Sequence, residues 1–299
     1  MGYSARYHAA SLAAVFLALA IGILIGSQVG GDVLDNTRKD LESSLTGDLT
    51  EARGQIDDLE TELGWADDFG NNVIPPLTEN QIRGDRIGLI GFGSLPTGIT
   101  DSVERAIQPT GADLAAVGVI REPPDADAIS GALPGGSRLQ ALSQNDEELE
   151  KYGRLTGRQL ILGGKLLEQT KSELMSQSSG EFGDLDGLVI YRAESGDFEP
   201  EQFDQMDVLE QGLLEGSGST IAEVAGVEEV DTDPSSISYF DSNDVTSVDN
   251  LNQPAGKVSL VYALAGAEGS FGVKEGSDRL LPELLQPLRP KRVAARKQG

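Results

Sequence analysis

The stretch RIGLIGFGSLPTGITDSVERAI, Arg86 to Ile107, changes its period halfway. Ile87–Ile90 is short and near-continuously apolar, as in a strand covered on both faces. GFGSLPTG, Gly91 to Gly98, is a turn. Beyond it Ile99, Val103, Ala106 and Ile107 recur on one helical face. Strand, turn and helix in that order form the repeating unit of a parallel sheet. Working outward, Leu114–Ile120, Leu188–Tyr191, Thr220–Val224 and Val258–Leu264 read as further strands. Leu162, Leu166, Leu167 and Leu174 share a helical face, and so do Phe203, Met206, Leu209 and Leu213. The expected fold is a layered α/β domain over residues 84–285 with a mostly parallel sheet. Residues 230–252, rich in Asp, Ser and Asn, read as a surface loop capping a short helix at Val245–Leu251.

On the N-terminal side, Pro75-Pro76 is expected to end a helix that runs from Leu34 to Ala66. Its contact positions are Leu34, Leu41, Leu45, Leu49, Ala52, Ile56, Leu59 and Leu63. From Leu49 the steps are 3, 4, 3, 4, a heptad seam, while Leu41, Leu45 and Leu49 form a stutter. Gly47 and Gly54 each weaken the helix by about 1 kcal/mol relative to Ala. A lone leucine stripe is costly in water, so it needs a partner helix or the helix's own domain to cover it. Residues 32–70 are therefore expected to be a coiled-coil stalk, with Leu41, Leu45, Leu49, Ile56, Leu59 and Leu63 in the seam.

Before the stalk, Ala9 to Ile25 is apolar except for Ser11, and residues 9–27 approach the length that crosses roughly 30 Å of hydrocarbon. A secretory signal has a shorter apolar region, about 7–15 residues, and a small-x-small cleavage site. Here the run is longer, and the stretch after Gly26 matches such a site only in part. Residues 9–27 are read as an uncleaved signal-anchor of a single-pass membrane protein. Arg6 before the run, with Asp32 and Asp35 after it, puts residues 1–8 in the cytoplasm and the main domain outside. Ala14, Ala18, Gly22 and Gly26 line one face of this helix, the small-residue pattern that lets two membrane helices approach.

The chain of 299 residues has no cysteine and a net charge of −26. Disulfides, thiolate metal sites and cysteine nucleophiles are excluded. So acidic a body repels nucleic acid, and no nucleic-acid partner is expected. Residues 286–299 depart from this trend: they form a basic tail, read as solvated and disordered. The single histidine, His8, lies at the edge of the anchor, so the outer domain has no histidine base or ligand. GFGSLPTG has the first two glycines of a dinucleotide loop but Pro96 in place of the third, and reads as a flexible turn. GGK (Gly163 to Lys165) falls inside a helical pattern. DSNDVTSVDN (Asp241 to Asn250) lacks the central glycine of a calcium loop and reads as an Asx-rich helix cap. No catalytic residue, metal ligand or cofactor site is singled out, and the chain is not expected to be an enzyme.

The anchor HAASLAAVFLALAIGILIGS, the leucine-spaced helix and the late run VSLVYALAGAEGSFGVKEGSDRLLPELL together resemble the actinobacterial copper transport protein B family (MctB, also called SteB). The most specific parts are the anchor and Gly272-Val273-Lys274 to Pro282. The resemblance implies an actinobacterial cell-envelope protein acting in copper transport and copper homeostasis. It also implies, for other relatives, cell separation with a membrane partner (SteA). Copper is thus possible by resemblance only. Soft copper(I) favours thiolate, thioether or imidazole, and this chain offers His8, Met1, Met175 and Met206, far apart in sequence.

Overall fold

The computed structural model describes residues 4–134, 139, 141–192, 196 and 198–283. The chain divides into two compact units, Met1–Ala66 and Asp67–Gly299. A single helix, α1 (Ser4–Thr78), supplies the first unit and opens the second. Its segment His8–Gly26 is long and apolar enough to cross a membrane. The proline pair does not stop the helix before Pro75, as the sequence suggested; α1 continues to Thr78. Two backbone donors are lost at Pro75 and Pro76. The last turns are held instead by packing of Ile74 on Val258 and Tyr262, and by Tyr262 Oη, which donates to Leu77 O at 3.1 Å.

The second unit is mixed α/β. After β1 (Arg86–Phe92) come α2 (Thr97–Ile107), β2 (Asp113–Ile120) and three helices, α3 (Ala126–Ala132), α4 (Asp146–Leu162) and α5 (Lys165–Leu174). Then follow β3 (Met175–Gly180), β4 (Gly187–Arg192), α6 (Pro200–Gly218), β5 (Glu223–Val227) and α7 (Ile237–Ser242). The last elements of the described residues are β6 (Thr246–Val248), α8 (Pro254–Leu264) and β7 (Ser270–Phe271). Strand order is β3-β2-β1-β4-β5-β6-β7, and every neighbouring pair is parallel except β2–β3. Alternation along β1 separates two cores. Ile90 and Phe92 pack with α4 and α6 residues such as Tyr152 and Leu213, whereas Ile87 and Leu89 pack with Ile99, Val103 and Leu260 of α2 and α8.

Helices α4 and α6 meet backbone to backbone. A Cβ on Gly153 would lie 2.8 Å from Leu209 O, and one on Gly157, Gly212 or Gly216 would overlap a carbonyl of the facing helix. Both helices carry glycines four residues apart, so each presents a bare strip to the other. Ser217 Oγ donates across the crossing to Gly157 O at 3.1 Å.

Several sequence expectations are corrected here. Val258–Leu264 is not a strand but most of α8, whose residues from Gly256 to Leu264 are all buried. An apolar run with no polar face cannot be told from a strand by periodicity; Pro254 at the first turn was the available helix signal. The strand expected at Thr220–Val224 lies at Glu223–Val227, because Thr220 Oγ1 bonds to Ser217 O beyond the end of α6. Residues 230–252 are not a surface loop: they hold α7 and β6, and Ser247, Asp249 and Asn250 are fully buried. Val245–Leu251 is no helix, since β6 runs through it, and DSNDVTSVDN is no helix cap. Gly163 and Gly164 break the chain between α4 and α5 rather than lying within one helix, and Leu162 is half exposed.

Candidate functional site

From the β1–β4 pair the sheet is extended outward in two directions, by β2 on one side and by β5 on the other. Loops leaving the carboxyl ends of β1 and β4 therefore diverge, and this is where open α/β sheets place a binding crevice. Four elements send ionisable groups there. Glu122 follows β2, Arg192 ends β4, Asp207 and Glu210 lie on α6, and Tyr239 lies on α7. Arg192 Nε donates to Glu210 Oε2 at 2.8 Å, and Arg192 Nη2 is 3.7 Å from Asp207 Oδ1. The guanidinium carbon stands 4.4 Å from the centre of the Tyr239 ring, a cation–π contact. Glu210 is only 2% exposed.

Burial raises the Glu122 carboxyl to about 9, reinforced by a hydrogen bond and charge repulsion from Glu210; the Arg192 cation opposes the shift and loses. Glu122 is thus a neutral acid at pH 7. Burial also raises the Tyr239 phenol, with Glu210 adding to it. For Arg192, burial is the largest single influence and lowers the pKa, but its neighbours, Glu210 foremost, together raise it further, so the cation persists. Glu122 Oε1, Glu210 Oε1 and Tyr239 Oη are buried without a well-aligned hydrogen bond. The neutral acid and the phenol are donors and Glu210 is the acceptor, so the three groups can satisfy one another. The cluster holds one proton and one arginine between two glutamates. A protonated carboxyl and a cation at its centre suit neither a hard nor a soft metal ion. Among the described residues no group of three His, Asp or Glu side chains could hold a metal.

The GFG turn borders this cluster. Gly93 has φ +73°, and a Cβ there would meet Glu122 Oε2.

A second buried network lies at the ends of β5, β6 and β7. Asp249 accepts from Val273 N at 2.9 Å, Lys274 N at 2.7 Å and Ser277 Oγ at 2.6 Å. Lys274 Nζ donates to Glu228 Oε1 and to Thr232 O, each at 2.7 Å. The fully buried Glu228 also accepts from Ser235 Oγ and Ser236 N, each at 2.6 Å. Every carboxylate oxygen here has a donor, so the GVK segment of the sequence is a structural fastening.

The residues singled out from sequence lie on α1. Ala14, Ala18, Gly22 and Gly26 are exposed within the apolar segment. Leu41, Leu45, Leu49, Ile56, Leu59 and Leu63 are 53–64% exposed. The Leu34 side chain and the basic tail 286–299 lie outside the described residues. Met175 and Met206 are both buried, Met175 within the core that holds Ile90 and Tyr152. Sequence reasoning missed Glu122, Arg192, Glu210 and Tyr239. With 49 acids in the chain, no single carboxylate stands out; the one usable signal was a basic residue closing the apolar run Leu188–Tyr191.

A family model described as "Copper transport outer membrane protein, MctB" matches residues 3–187 and 204–282. Curated relatives are the copper transporters MctB of Mycobacterium tuberculosis and Mycobacterium bovis. Each is 30% identical over 145 residues, covering 46% of this chain and 46% of the relative. The match thus spans about half the length of these curated relatives.

Proposed function

This chain belongs to the MctB family, and we propose that it is a membrane-anchored envelope protein serving copper homeostasis without ligating copper itself. The observation that carries this reading is the extent of the family match, which takes in the apolar segment and the α/β unit together. His8–Gly26 is the single-pass anchor, with Arg6 on the cytoplasmic side and the α/β unit outside. The donor set argues against a direct copper(I) site, because the two methionines of the α/β unit are buried and cysteine is absent. The chain is non-catalytic on this reading: the buried cations Arg192 and Lys274 are held by Glu210 and Glu228. Deletion of the gene in its host should lower copper tolerance, and re-expression should restore it; unchanged tolerance would count against the reading. Protease added to intact spheroplasts should digest the α/β unit and leave a short N-terminal fragment, whereas protection of the whole chain would reverse the orientation.

A second reading is favoured by the exposed stripe Leu41 to Leu63. Here the helix is a coiled-coil stalk that pairs with itself or with a membrane partner in cell separation. The small-residue face of the anchor joins the same pairing. Cysteines placed at Leu49 or Ile56, in a chain that has none, should cross-link two copies if pairing is with itself. A chaining or septation defect on deletion, with copper tolerance intact, would select this reading over the first.

A further inference from the structure

The two ends of the sheet are finished differently. At one end β7 has two residues, and Phe271 bridges onward to Arg279. At the other, β3 is a six-residue edge strand whose residues Ser176 to Gly180 are all exposed. Natural sheets blunt such an edge with lysine, proline or a bulge; MSQSSG has no lysine or proline, and its one irregularity lies at Ser176, leaving Gln177 to Gly180 in continuous register with β2.

The ladder fixes which groups point away from β2. Glu181 N donates to Ala115 O at 3.2 Å, so residues 181 and 115 form a hydrogen-bonded antiparallel pair. Ser179 opposite Val117 and Gln177 opposite Val119 follow in the same phase. Ser178, one residue out of phase, therefore aims its N–H and C=O groups away from β2. A cavity of about 290 Å³ runs beside this edge, lined by Leu95, Thr97, Thr100, Val117, Gln177 and Ser179 among others, with no charged side chain.

We propose that β3 pairs antiparallel with β3 of a second copy of this chain about a two-fold at Ser178, joining two seven-stranded sheets edge to edge. In this register Ser178 faces itself and Gln177 faces Ser179, within the part of β3 whose ladder with β2 is regular. No two like charges meet, which is what a self-pairing edge requires in a chain of net charge −26. Gln177 and Ser179 share the face of Val119 and Val117. The Gln177 amide of each copy therefore arrives at the other's cavity, where the Thr97, Thr100 and Ser179 hydroxyls offer it donors and acceptors. A single edge pair buries far less than the roughly 800 Å² per partner of a standard interface. The pairing therefore depends on two copies sharing one membrane, where confinement raises their effective concentration. It goes beyond the copper and cell-separation readings and uses only the proposed anchor.

The test uses the full chain in native membranes. Ser178→Cys should give a dimer with a short bis-maleimide, at least tenfold more than Ser176→Cys, whose copies would stand about 14 Å apart along the strands. Adding Gln177→Asp and Ser179→Asp to Ser178→Cys places carboxylates opposite one another and should abolish the product. Both positions are exposed, so the fold is retained. Equal cross-linking at 176 and 178, a product that survives the paired aspartates, a product of heteromeric mass, or no product from membrane-localised protein would each overturn the pairing. Recovery of the chain in the soluble fraction would instead overturn the anchor.

Discussion

Asp249 occupies the space that a side chain on Gly272 would need. A Cβ built on Gly272 overlaps Asp249 Oδ1, and the glycine has φ +146°. The bare α-carbon lets Val273 N and Lys274 N point at the two carboxylate oxygens. Lys274 then reaches the buried Glu228, so one short segment ties the ends of β5, β6 and β7 together. Gly272→Ala should lower stability by about 3 kcal/mol, through steric overlap and loss of donors to a buried charge. Thermal unfolding measures this, and a change within experimental error would remove the fastening from the account.

The α4–α6 crossing gives a paired prediction. Gly157→Ala forces a methyl group into Leu213 O and should destabilise the α/β unit by about 2 kcal/mol or more. Gly131→Ala, on α3 with open space around the added Cβ, should be neutral or stabilise by up to about 1 kcal/mol. Denaturant midpoints for the two variants should move in opposite directions or differ clearly in size.

Glu122 predicts a pH dependence with a definite sign. Folded, its carboxyl keeps a proton up to about 9; its ordinary value is 4.5. Between those values the native state binds more protons than the unfolded state, so this group's contribution to stability falls as pH rises. Glu122→Gln keeps the neutral form at every pH. Its melting temperature should exceed that of the parent at pH 8, with the margin shrinking toward pH 4.5. Parallel curves would mean that Glu122 is ionised in the fold.

The parts legible in the sequence were those whose apolar period is one-sided or near-continuous. Ile87–Ile90 lies inside the longer β1, and Ile99, Val103, Ala106 and Ile107 are on the buried face of α2. Helix α8 was misread because burial all round removes the polar face that distinguishes a helix. Ser247 and Asp249 looked like loop residues because their polar atoms serve the interior, a role that depends on partners distant in sequence, Ser270 and Val273. Gly153/Gly157 and Gly212/Gly216 were visible as equal spacings, but only the fold sets one pair against the other. The Glu122–Glu210–Arg192 cluster draws on three elements, and no local pattern brings them together.

On the proposed reading, this chain serves copper homeostasis without a copper(I) site of its own. Titrating the purified full-length protein in detergent with copper(I), against a chromophoric chelator under anaerobic conditions, tests it most directly. The account predicts that the chelator keeps the metal and that any residual binding lacks fixed stoichiometry. Withdrawal of one copper(I) per chain, lost on Met175→Leu or Met206→Leu, would contradict it.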